Sequence, residues 1–204
     1  MASSYGYATK AGVLLFVGSC QFLIFLVIAE TIFPNYSVSN NYISDLGVWS
    51  ELSATIFNPS IIISGSLTIA AGYFILKRFR KRAFSSFVVL SGIGALTVGI
   101  FPEDTFLVNA VPVFHAIGAL LAFVFGGLAA ISSYRVVKSP FKYLGVVLGV
   151  LSLLAMILFL FTGPYDYFGL GAGGMERMIT YPTLVWTICL GGHLMAPHSP
   201  EAPC

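Results

Sequence analysis

The chain carries few side chains that could do chemistry, and they gather around one histidine. His115 stands near the start of an apolar stretch, just beyond Phe101-Pro102-Glu103-Asp104. With Asp45, Glu103, Asp104 and Glu176 it could form a histidine–carboxylate sphere for a divalent transition metal such as zinc, manganese or iron. No HExxH or comparable spacing occurs, so those ligands would have to converge from separate segments. Without a metal, His115 could act as a general base, with Asp45, Glu103 or Asp104 orienting it or serving as acid. Ser44 is a conceivable nucleophile, but Ser44-Asp45 adjacent in sequence is no triad signature. Arg177 has two readings. It either clamps outer loops in a salt bridge with Glu30, Asp45, Glu103 or Asp104, or it recognises an anionic headgroup through its planar fork. With Glu176, Asn58 and Ser44 it completes a candidate substrate-binding set. Phosphate-cradling glycine loops and nucleic-acid-binding features are absent from the sequence.

The elements that must position these groups are hydrophobic. The chain has 204 residues, 57% hydrophobic and 9% charged, with a mean hydropathy of +0.92. Soluble domains carry about 25% charged residues, so this surface belongs in a membrane. Recurrent apolar runs, each able to cross roughly 30 Å of hydrocarbon, predict an all-α bundle forming one domain over residues 1–204. The expected spans cover about 10–33, 53–76, 84–101, 109–133, 141–162 and 175–195. Alternating strands of a barrel are not present. The first apolar run is too long for a signal peptide and is read as a retained anchor. The three cysteines give no disulfide framework.

Prolines punctuate three hairpins. Pro34, Pro102 and Pro164 follow one set of spans, and Pro59, Pro112 and Pro182 lie near the beginnings of the other. Nine of the ten basic residues, including Lys77-Arg78 and Arg80-Lys81-Arg82, fall on one side of these spans. Seven of the eight acids fall on the other. The positive-inside rule then predicts a multi-pass cell-membrane protein with both termini cytoplasmic and acidic loops outside.

Small residues mark the inward faces. Gly118, Ala122, Gly126 and Ala130 recur every four residues, and Gly145 and Gly149 repeat the interval. His115 shares the first stripe, so it should point into the bundle near its outer end. Asn58 stands in register with Gly65 and Gly72, and Glu176, Thr180, Thr183, Thr187 and Gly191 form a polar stripe. Three helices thus aim polar groups at an outer vestibule. Val38, Tyr42, Leu46 and Trp49 fall near helical spacing and predict a short interfacial helix, a lid or a surface anchor. The glycines from Gly169 to Gly174 are expected to lend flexibility to the loop bearing Asp166.

The motif Asn41-Tyr42-Ile43-Ser44-Asp45-Leu46-Gly47 resembles one in a family of membrane proteins of unknown function from archaea and bacteria. Phe57-Asn58, Gly99-Ile100-Phe101-Pro102-Glu103-Asp104, the helical His115 and Gly174-Met175-Glu176-Arg177 extend the resemblance over essentially the whole chain. It implies a compact bundle of about six helices with shared polar residues on one side, and no established reaction. A second histidine often adjoins the first in that family, whereas here Phe114 and Ala116 flank His115. That departure weighs against a two-histidine metal site. The leading functional expectation is a membrane-embedded hydrolase or transferase acting on a lipid or amphiphile, with membrane lipids as its partners. The alternatives are a scaffold or accessory subunit, and a small-solute transporter or ligand-binding protein. Few ionisable groups mark an inner path for transport.

Overall fold

In hydrocarbon every backbone N–H and C=O must find a partner within the chain, and a helix does this locally. The computed structural model describes residues 2–103, 111–162 and 169–196. They form α1 (Ala2–Ile32), α2 (Ala54–Phe79), α3 (Arg82–Ile100), α4 (Val111–Ser132), α5 (Phe141–Thr162) and α6 (Gly171–Met195). Every expected span has its helix, although α1 begins well before residue 10. Residues 109–110 of the fourth expected span lie outside the described residues. Among the described residues, five helices are long and apolar enough to cross a membrane. The sixth, α6, has 25 residues, a length of roughly 37 Å, and carries the polar stripe.

Two hairpin ends show why the helices stop. After α2 the chain turns at Arg80, whose φ of 53° lets its N–H reach the Leu76 carbonyl before α3 begins. At the opposite end of α3, Pro102 follows the helix and is fully buried. The turn between α1 and α2 leaves their far ends together, with Lys10 lying over the Phe74 ring.

Consecutive helices pack side by side, and α6 closes the ring against α1. Close approach at the crossings rests on glycine. A Cβ on Gly65 of α2 would lie 2.6 Å from the Leu96 nitrogen and 2.7 Å from the Gly92 carbonyl of α3. Gly149 of α5 meets Gly127 of α4 in the same way, and Gly145 meets Ala130 and Ser133. Such contacts matter because lipid tails already satisfy apolar surface, leaving packing as a main source of helix association. The outward faces are correspondingly apolar, with Val17, Ile24 and Val27 exposed along α1.

The segment between α1 and α2 departs from expectation. In place of an interfacial amphipathic helix it has a single 3-10 turn, Ser44–Gly47, tucked against the bundle. Leu46 is fully buried while Val38 and Trp49 face outward. Those side chains therefore share no common face. The turn is held from α2: Ser53 donates to the Leu46 carbonyl at 2.9 Å, and Asn58 Nδ2 donates to the Gly47 carbonyl at 2.9 Å.

Candidate functional site

The ring of helices does not close on its axis. A cavity of about 140 Å³ runs between α1, α2, α3, α4 and α6, lined at one end by His115, Glu176 and Ser44 and further in by Ala129, Val88 and Trp186. From Glu176 to Thr187 along α6 it extends roughly 16 Å at a helical rise of 1.5 Å per residue. Its wall is chiefly apolar, striped by Thr180, Thr183 and Thr187. On α4 the lining residues are His115, Ala119, Ala122, Phe123, Gly126 and Ala129, one face of the helix. The stripes expected on α4 and α6 meet across this space. Three expected members face elsewhere: Gly118 packs against Gly94 and Thr97, Ala130 against Gly145 and Gly149, and Gly191 against Gly12 and Phe16.

At the polar end the His115 ring is nearly buried, 6% exposed. Its Nδ1 lies 2.9 Å from the Phe101 carbonyl at the end of α3. A carbonyl only accepts, so Nδ1 carries the proton there and Nε2 is the working nitrogen. Nε2 faces Glu103 Oε1 at 3.5 Å, and Glu103, 45% exposed at its side chain, stands at the rim. Ser44 donates to the same Oε1 at 3.3 Å. Glu176 is buried behind them and accepts the Ile43 N–H at Oε2. The structure thus gathers His115, Glu103, Ser44 and Glu176 at one end of one cavity.

Other candidates are placed differently. Asp45 turns back on its own loop, where Oδ2 accepts from Asn41 Nδ2 and the Tyr42 N–H, both at 3.0 Å. It caps the turn that presents Ile43 and Ser44. Asn58 is 2% exposed and holds that turn from below rather than lining the cavity. Asp104 lies outside the described residues. A divalent metal would find His115 Nε2 and Glu103 as its nearest pair of donors. Among the described residues no three His, Cys, Asp or Glu side chains cluster closely enough to hold one.

Arg177 braces the loop between α1 and α2. Nη2 donates to Glu30 Oε1 at 2.6 Å and to the Tyr36 hydroxyl at 2.5 Å. Nη1 is shared by the carbonyls of Val38 at 3.0 Å, Asn41 at 3.2 Å and Gly173 at 2.9 Å. A guanidinium has five N–H donors. The four on Nη1 and Nη2 are engaged within the protein, so the fork is not presented to a ligand. Burial pushes the Tyr36 phenol up to about 12, although the Arg177 charge and hydrogen bond pull the other way.

The glycine-rich start of α6 serves close approach rather than loop flexibility. Gly173 N–H donates to the Ser39 carbonyl at 2.8 Å, and a Cβ on Gly173 would run into the Asn41 carbonyl. Gly171, at φ 68°, makes the turn into the helix. The remaining expected residue of that loop, Asp166, is outside the described residues.

Sequence reasoning missed two sets of groups. Tyr36, 141 residues from Arg177, carries no signal in the sequence that ties it to that side chain. Ser19, Ser64, Thr68 and Ser91 also line the cavity. The four-residue interval from Ser64 to Thr68 was the available signal.

A ring of six helices, five apolar enough to cross a bilayer, around a cavity with titratable groups at one end defines a multi-pass integral membrane protein. The family model described as "Protein of unknown function (DUF998)" matches residues 16–193, and the chain belongs to that family. No curated protein and no solved structure matches it.

Proposed function

We propose that the protein holds the tail of an amphiphile in its axial cavity. It acts on the polar end as a membrane-embedded hydrolase or transferase. The observation that carries this reading is the cavity itself, polar at the His115 end and apolar along the helices. A void of about 150 Å³ accepts a guest of benzene's size, so the cavity of about 140 Å³ takes the few carbons next to the polar end, along a wall where Thr68, Ser91, Thr180, Thr183 and Thr187 turn their hydroxyls to backbone carbonyls. His115 supplies the chemistry: with Nδ1 fixed on Phe101, Nε2 can take a proton from an attacking hydroxyl or water and return it to the leaving group. Glu103 at the rim would stabilise the imidazolium formed, and Ser44 would position the reacting group. The charge asymmetry of the helix ends supports a mouth at the outer face and both termini in the cytoplasm.

A non-catalytic binding role is the second reading. It is favoured by the Ser44 hydroxyl, which bonds Glu103 rather than the imidazole. Mass spectrometry of protein released from native membranes tests both. The expected result is a co-purifying amphiphile, with turnover of a membrane lipid extract lost in His115→Ala while the amphiphile still binds. Binding without turnover in the unaltered protein would support the second reading. Finding no amphiphile bound would count against both.

A further inference from the structure

We propose that the ligand's polar end is a cation, an ammonium or similar hydrogen-bond donor, rather than a phosphate or carboxylate. This rests on the amphiphile reading above and names the headgroup. The mouth offers acceptors and holds few open donors. Glu176 is 8% exposed and lines the cavity. Its Oε2 takes the Ile43 N–H, and Oε1 takes no hydrogen bond among the described residues. Glu103 adds a second carboxylate at the rim.

Donors at the same end are already committed. Ser44 donates to Glu103, Thr180 to the Glu176 carbonyl at 3.0 Å, and Thr183 to the Thr180 carbonyl at 2.8 Å. The Nδ1 proton of His115 goes to Phe101. If Nε2 is also protonated, its proton faces Glu103; if not, Nε2 is one more acceptor. Arg177, the cation expected to draw an anion, is turned to Glu30 and Tyr36. An anionic headgroup would therefore meet carboxylates and lone pairs in a low-dielectric space, where unpaired charge is costly. A cationic one would find a buried carboxylate oxygen and the aromatic walls of Phe22, Phe57 and Phe123, which line the same cavity.

The chain offers its own reporter, because Trp186 lines the cavity and Trp49, exposed on the loop between α1 and α2, is the other of its two tryptophans. Trp49→Phe protein in phosphatidylcholine nanodiscs would be titrated with three probes of equal chain length, short enough for a cavity of about 140 Å³: ω-bromohexylammonium, ω-bromohexanol and ω-bromohexyl phosphate. Bromine at the tail quenches Trp186 when the chain fills the cavity. The same variant carrying Gly126→Leu corrects for quenching from the lipid phase. The ammonium probe should quench at a concentration about tenfold lower than the alcohol and lower still than the phosphate. Glu176→Gln, whose amide oxygen can still accept from Ile43, should remove most of that preference, and Glu103→Gln part of it. If all three probes quench alike, or the phosphate leads, the headgroup inference fails and the amphiphile cavity stands. If none quenches beyond the control, both fail. Should Glu176→Gln not fold, the order of the probes on the unaltered site decides alone.

Discussion

Arg177 and Glu30 meet at 2.6 Å between α6 and α1, their side chains only 6% and 18% exposed. The pair fastens the loop after α1 through Tyr36, Val38 and Asn41, and that loop carries Ile43 and Ser44 to the cavity. Removing one partner of a buried pair typically costs about 3–5 kcal/mol, because the other charge stays behind unpaired. Arg177→Ala should therefore lower stability by about that amount, with Glu30→Gln costing less because an acceptor remains. Unfolding in mixed micelles measures both. An Arg177→Ala protein as stable as the parent would mean that the brace contributes nothing.

Gly173 tests the seam between loop and helix. With the Asn41 carbonyl in the path of any Cβ, Gly173→Ala must push the backbone of the loop away from α6. Overpacking of this kind costs about 1–3 kcal/mol. Faster proteolysis within residues 36–47 is the expected sign, while Gly192→Ala, with open space around its Cβ position, should leave the digestion pattern unchanged.

The phenol of Tyr36 predicts a loss of stability in alkali. Burial raises it from 10.0 to about 12, so between those values the unfolded chain has released a proton that the folded chain still holds. Stability must then fall as pH rises through that window, having been fully present below 10. Melting temperature recorded from pH 9 to 12 should drop more steeply for the parent than for Tyr36→Phe. Parallel curves for the two proteins would place the sensitivity elsewhere.

Gly126 separates occupancy of the cavity from integrity of the fold. It lines the cavity, and a Cβ there would find its nearest atoms at 3.4 Å and beyond, ordinary contact distances. At Gly94, by contrast, a Cβ would collide with the Ala122 nitrogen and lie 2.5 Å from the Gly118 carbonyl. Gly126→Leu should fold normally and abolish amphiphile binding, since its side chain fills the void. Gly94→Leu should lower stability outright. Binding that survives in Gly126→Leu would show that the ligand sits somewhere other than this cavity.

Much of this arrangement was legible along the chain. Apolar runs of span length announce helices because the bilayer permits little else. The interval from Glu176 to Thr187 marked the cavity face of α6. Four-residue spacing of small side chains placed Ala122 and Gly126 on the cavity face of α4, although Gly118 and Ala130 of the same stripe pack on α3 and α5. His115 could be placed on that face before any fold was known. Local rules also failed in an instructive way between α1 and α2. Helical spacing of Val38, Tyr42, Leu46 and Trp49 suggested an amphipathic helix, yet the segment is held by distant partners, Arg177, Asn58 and Ser53, that outweigh its own periodicity.

Spacing within one helix settles which way a side chain faces, because that depends on 3.6 residues per turn. Apolar runs of span length determined the membrane class and the helix number, and spacing determined the inward course of His115 and Glu176. It could not settle which side chains meet across helices, because those meetings depend on the closing of α6 against α1. Only the folded ring turns Arg177 to Glu30, returns Asp45 to its own loop, and leaves Glu103 as the carboxylate facing His115. The physical reason is that an ion pair in a low-dielectric interior is chosen by contact at a few ångströms, and separation along the chain carries no record of that contact.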